Sequence, residues 1–375
     1  MKKLLHASAG SAALAVILSL SAVLLLAYSR HAAEGISKGL ACSAQLLIPS
    51  LFPFMLLSSF IIRSGVSDTI GRVLSFFTTR LFRLPKEASS AVILSFIGGF
   101  PVGAGCVRAL YDRGKLTQSQ AEQMMTFCVC SGPAFLITGV GVLMLDNAGA
   151  GVLLYVSQLI SGLALGIIAG RLYGIKSPSD QNVTDKPMLP KQSLSDAFVL
   201  SCGDASRSIL GLTAMVAAFS MLISVFEGAG IAGALTELLK LCGADPVIAD
   251  KLFLIIAEVT GACREISRGG CPLWLLSAAA GFGGLCVHFQ IFSVLGDIKI
   301  RKSRFFLFRA GNALLSSVIV YIVCRSRTQT AAVFAPSDHI RTELSSVSAF
   351  GAAVLVLMSA VFVLSLKNGT MTKRR

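Results

Sequence analysis

Glu258 and Thr260 stand inside an apolar run, LFLIIAEVTGAC, with Arg264 six residues beyond the carboxylate. A carboxylate near the centre of a bilayer costs several kcal/mol unless it is paired, protonated or turned toward a cavity. Such a group suits substrate binding or proton coupling at a chain break. The alternative is a structural carboxylate paired with Arg264 or His288. Arg108 occupies the place related to Arg264, just after GFPVGAG in the first half of the chain. A guanidinium presents a planar fork matched to carboxylates, so two related arginines would suit a dicarboxylate. Snorkelling of both side chains to the interface is the competing reading. His288 and Gln290 follow the break Gly281-Phe282-Gly283-Gly284, where an imidazole is a candidate proton group or a satisfied core histidine. Ser131-Gly132-Pro133 interrupts another apolar segment. Proline removes a helix hydrogen bond and glycine lets a ligand approach backbone, so exposed amides there would favour an anion. A packing kink is equally compatible.

These residues fall on a pattern that occurs twice. An apolar segment broken by FIGGFPVGAG, with Pro101 and Gly103, precedes one broken by CSGP. Further on, IIAEVTGAC, with Gly261, precedes AAGFGGLCVHFQ, with Gly283 and Gly284. Unwound backbone at membrane depth is tolerated only where protein buries it or where it lines a cavity. Paired interruptions in two halves point to a duplicated transporter core with its site near the midplane.

Composition sets the class. The chain has 375 residues, 54% hydrophobic and 14% charged, with mean hydropathy +0.76. About 25% charge is usual for a soluble globular protein, so a water-facing surface is excluded. No alternating strand pattern suggests a transmembrane barrel. The net charge of +14 comes from short basic clusters between apolar segments and gives no nucleic-acid signature. The ten cysteines contain no C-x-x-C pair, so no zinc site is expected and most read as small packing residues. No cofactor, Walker sequence or zinc-protease motif is present, which leaves secondary transport or facilitated flux as the energetic mode.

The expected layout is all-α and polytopic, with about eight spans plus two re-entrant hairpins in two inverted repeats. Spans are expected near 8–29, 40–63, 119–145, 149–172, 206–226, 272–296, 304–324 and 347–366, and hairpins at 88–110 and 247–267. Ser67 to Leu84 and Ile231 to Leu241 read as interfacial helices. Positive clusters at 63–87, 111–118 and 299–304, at Arg171 and Lys176 and in the tail then share the cytoplasmic side with both termini. Residues 146–149 fall outside, and Arg325, Arg327 and Arg341 are the exceptions to the rule. The N-terminal apolar run is read as an uncleaved first helix, being longer than a signal-peptide core. The expected division is 1–39, an N-terminal helix and connection; 40–173, the first repeat; 174–205, a cytoplasmic linker and interfacial segment; 206–325, the second, inverted repeat; and 326–375, an outer loop, last span and basic tail.

The elements IPSLFPF, GFPVGA, SGPAF, EVTG and GGLCVHFQ resemble the YlbJ-type sporulation integral membrane proteins, of the nucleoside-recognition or Gate-domain group, over about residues 40–325. That group is similar in plan to concentrative nucleoside transporters. The resemblance implies inverted repeats with paired hairpins, a role in endospore formation and a dipicolinate-type small anion as cargo. Cys130 and Cys286 stand where the pattern would hold small polar residues such as serine.

The expected function is therefore a secondary transporter or facilitator, not an enzyme. Its partners are a small-molecule solute, the lipid bilayer and a coupling ion, proton or sodium, with homo-oligomerisation left open. Two other classes stand beside it. One is a spore-envelope assembly protein that transports nothing. The other is an intramembrane hydrolase using Ser131, or Glu258 with His288.

Overall fold

The computed structural model describes residues 2–173 and 193–327. The expected linker from 176, the last span at 347–366, Arg341 and the basic tail lie outside the described residues, as does the side chain of Arg327. The described chain is helical throughout, with no strand among its residues.

After α1 (Lys2–Ala27), the same order of elements occurs twice. The first series opens on one continuous helix of 35 residues, Ser29–Arg63. It comprises α2 (Ser29–Cys42), a π-helical turn (Ser43–Leu47) and α3 (Ile48–Arg63). Next come the amphipathic α4 (Val66–Leu81) and a pair, α5 (Ser89–Gly98) and α6 (Phe100–Asp112). A broken span follows, α7 (Gln118–Phe127) running through residues 128–133 into a π-helix (Ala134–Met144), and then α8 (Ala148–Leu172). The second series opens on another 35-residue helix, α9 (Leu194–Gly228). It continues with α10 (Ile231–Leu241), the pair α11 (Pro246–Ala257) and α12 (Val259–Arg268), the broken span α13 (Leu273–Phe282) and α14 (Gly284–Leu295), and α15 (Lys302–Arg327).

Both opening helices begin earlier than expected, at 29 and 194 rather than 40 and 206. Ser193 caps α9 by accepting from the Asp196 amide, and residues 194–205 extend that helix instead of forming a linker. Within each pair, α5 packs on α6 and α11 on α12, as the halves of a hairpin do. Residues 273–295 instead run on as one span-length apolar helix with a break.

Packing is inverted relative to a soluble protein. On α8 the buried face carries Gly151, Ser157, Gln158, Ser161, Gly162 and Gly166, while Val152, Val156, Ile160 and Leu163 are exposed. Only a solvent as apolar as leucine makes that arrangement favourable, with small and polar residues joining helices. Among the described residues, five helices are long and apolar enough to cross a bilayer. The two opening helices lie backbone to backbone, since a Cβ at Gly35 would sit 2.6 Å from the Ser220 carbonyl oxygen. Asp204 on α9 further joins them by accepting from Arg63 at 2.7 Å and Ser59 at 3.0 Å.

Candidate functional site at the four helix breaks

The four breaks meet. Gly99, at the tip between α5 and α6, has φ +79° and so needs glycine. A Cβ there would lie 3.1 Å from the Gly132 nitrogen in the first broken span. In the second series, a Cβ on Gly284 (φ +71°) would lie 3.0 Å from the Val259 nitrogen at the tip between α11 and α12. The two series also join each other. Ser131 Oγ donates to the Ala280 carbonyl at 3.0 Å, and a Cβ on Gly283 would meet the Phe100 ring at 3.3 Å. Between them lies a small cavity of about 40 Å³, bordered by Gly98–Pro101, Gly132, Glu258–Thr260, Cys286 and Gln290. Its remaining wall is apolar, with Leu47 and Leu51 from the first opening helix and Leu212 and Val216 from α9.

Glu258 is 2% exposed and is the N-cap of α12. One carboxylate oxygen accepts from the Thr260 amide at 2.7 Å and the other from the Gly261 amide at 2.5 Å. The alternative pairing with Arg264 or His288 does not occur: the carboxylate is met by half-helix amides, whose dipole favours an anion. Arg264 is half-buried against Cys42 on α2 and does not border the cavity. Arg108 also lies away from it, donating to the Leu295 carbonyl at 2.7 Å and to Asp112 and Asp297 at 2.8 and 2.5 Å. Gly103 packs on the Cys128 carbonyl instead of bordering the cavity.

Backbone accounting explains the polar side chains around the breaks. A helix leaves its last four carbonyls unsatisfied, and burial makes each costly. In α13 all four find donors: Ala279 the Gly283 amide at 2.9 Å, Ala280 the Ser131 hydroxyl, Gly281 the Asn312 amide at 3.1 Å and Phe282 His288 Nε2 at 2.8 Å. A carbonyl only accepts, so the His288 proton in this bond sits on Nε2. The ring stands among Phe282, Phe305 and Phe306, and its Nδ1 has no partner. At the first break, Arg309 donates from Nη2 to the Thr126 carbonyl at 3.0 Å and from Nη1 to that of Val129.

Arg309 was missed in the sequence, although a lone arginine within FFLFRAGN is a detectable intramembrane charge. Gln158, Ser161, Ser277, Asn312 and Ser316 were missed too. They form a buried polar network joining α8, α13 and α15. The helices that start at the breaks differ from those that end there. Pro133 and Gly283 begin the second halves of the broken spans, and Gly99 begins α6, with no side-chain cap at any of the three.

Comparisons with known proteins agree with the helical membrane fold. Residues 44–148 match the Gate family model, described as nucleoside recognition. The chain is 26% identical over 325 residues to the sporulation integral membrane protein YlbJ of Bacillus subtilis (strain 168), covering 80% of this chain and 79% of that protein. CNTnw in an inward-facing substrate-bound state superposes with TM-score 0.51 at 13% identity, covering 84% of each chain. A substituted CNTnw in an outward-facing state gives TM-score 0.55 at 15% identity, covering 85% of each. The chain is thus a polytopic helical integral membrane protein that carries a Gate segment, is similar to YlbJ and has the fold of concentrative nucleoside transporters.

Proposed function

We propose that the chain is a secondary transporter or facilitator for a small anionic solute, with a dipicolinate-like cargo moved during endospore formation. One observation carries the anionic reading. In both broken spans the carbonyl ends are taken up by side chains, whereas the amide ends and the α6 amide end carry no side-chain cap. Amide ends carry the positive pole of the helix dipole and favour negative charge. Glu258 already fills the fourth such end, so its role is to hold the α11–α12 tip and, with a proton or sodium ion, to couple it. The hydroxyl of Ser131 donates to a carbonyl and not to a base, which disfavours a hydrolase.

A nucleoside cargo is the second reading. It is favoured by the match to the nucleoside-recognition model and by the absence of a cationic side chain among the described residues bordering the cavity. Purified protein in liposomes separates the readings. Uptake of labelled dipicolinate, competed by unlabelled dipicolinate and not by nucleosides, is the expected result. Uptake of nucleosides alone replaces the cargo, and no flux of either favours the non-transporting assembly role.

A further inference from the structure

Arg309 is wholly buried, and the ionisable neighbours of its guanidinium are the thiols of Cys128 and Cys130 and the imidazole of His288, with no carboxylate paired to it. A buried cation without an anion is costly unless dipoles replace the counter-charge. The carbonyl end of α7 supplies those dipoles, and a cation there is favourable. Asn312, less than one turn further along α15, makes the matching contact at the other break. Its Nδ2 donates to the Gly281 carbonyl and to Gln158 Oε1, and its Oδ1 accepts from Ser161. Ser316, one turn beyond, donates to the Ser277 carbonyl at 3.4 Å. A single helix therefore grips the carbonyl ends of both broken spans.

We propose that Arg309 and Asn312 are positioning residues that hold the ends of α7 and α13 from one turn of α15, and so fix the spacing of the two broken spans around the cavity. The two contacts act on different segments. Loss of the Arg309 fork frees residues 128–133, where Cys128 and Cys130 are buried. Loss of the Asn312 amide frees the end of α13 and the start of α14, where Cys286 is buried. Lysine at 309 keeps a charge but has no fork to span two carbonyls.

The inference rests on the transport reading only for cargo binding, so its test is independent of flux. Full-length protein in native membranes is treated with N-ethylmaleimide, and each cysteine is followed by peptide mass mapping. Cys42 and Cys263, buried on α2 and α12, serve as internal controls. Arg309→Met is expected to raise labelling of Cys128 and Cys130 about tenfold or more while the controls stay at wild-type levels, the pattern of local opening. Arg309→Lys should give the same pattern to a smaller extent. Asn312→Leu should raise Cys286 and leave Cys128 and Cys130 protected. If Arg309→Met does not reach the membrane, Arg309→Lys is judged by the same selectivity. Unchanged labelling in the Arg309 and Asn312 variants overturns the proposal, and so does an equal rise at the controls, which marks a general stability role. Selective opening in a protein that moves neither dipicolinate nor nucleoside would remove the transport reading and leave the positioning role intact.

Discussion

At the scale of single residues, the breaks combine backbone freedom with close approach, and the two requirements can be tested apart. Gly103 and Gly105 lie two positions apart on α6. A Cβ at Gly103 would overlap the Cys128 carbonyl, whereas one at Gly105 meets nothing within 4 Å. Gly103→Ala is therefore expected to destabilise by about 1–3 kcal/mol through overpacking. Gly105→Ala should be neutral or stabilising by up to about 1 kcal/mol, since alanine is the better helix former. Thermal unfolding in detergent, read for both variants, checks the contrast. Glu258→Gln replaces one accepting oxygen with a donating amide opposite the Thr260 or Gly261 N–H. A buried amide left without an acceptor costs about 1–3 kcal/mol, so this variant should unfold earlier and transport more slowly at equal protein level. Equal unfolding temperatures would mean that the cap does not hold the tip. That Glu258, Thr260, Gly261 and Gly283 stand at helix breaks was legible in the sequence, because charge and glycine within an apolar run are local signals. The partner of Glu258 was not, because either Arg264 or His288 satisfied the same electrostatic argument.

At the scale of elements, Arg108 joins α6 to the turn after α14. It reaches the Leu295 carbonyl and the Asp297 carboxylate, and its hydrogen bond holds that carboxyl below the usual range. Both groups lie at the surface, so salt screens the pair. The sign of the pH dependence follows from linkage. A lowered folded pKa gives stability that is fully present above the unfolded value, about 3.9, and that is lost as pH falls through the lower folded value. The gap in unfolding temperature between the native chain and Arg108→Gln should be constant from about pH 5 to 7 and should narrow below about pH 4. A gap that persists unchanged at pH 3 would assign it to the Leu295 carbonyl instead. The helix pairs themselves were legible, since each apolar segment is punctuated at its centre by Gly-Phe-Pro or Glu-Val-Thr-Gly. The extra turns at the start of the two opening helices were not, because Arg30, Glu34, Lys38, Asp196 and Asp204 dilute the apolar signal that marks a span.

At the scale of the molecule, the repeated order of elements gives an inverted pair if a long helix, a broken span and a closing helix cross in each series. We predict that both termini and residues 299–304 face the cytoplasm, with 146–149 outside, because the basic clusters then share one side. In a background without the ten native cysteines, Arg301→Cys should react with a membrane-impermeant reagent only after the membrane is opened, and Asn147→Cys should react from outside. External labelling at 301 would invert or break the arrangement.

The sequence by itself determined the solvent, the helical class and the places where helices must break. Each of these depends on composition or on a few adjacent residues: apolar runs of span length, basic clusters between them, and glycine or proline within them. Only the tertiary structure decided which groups satisfy the broken ends. Ser131 meets Ala280, Asn312 meets Gly281 and Arg309 meets Val129, across separations of 149, 31 and 180 residues. A freed carbonyl accepts from any donor that the fold brings within about 3 Å, and sequence distance does not specify which one arrives. The same reason took Arg264 and Arg108 from the cavity to Cys42 and Asp297, and brought Arg309, read first as part of an ordinary span, to the centre of the molecule's polar structure.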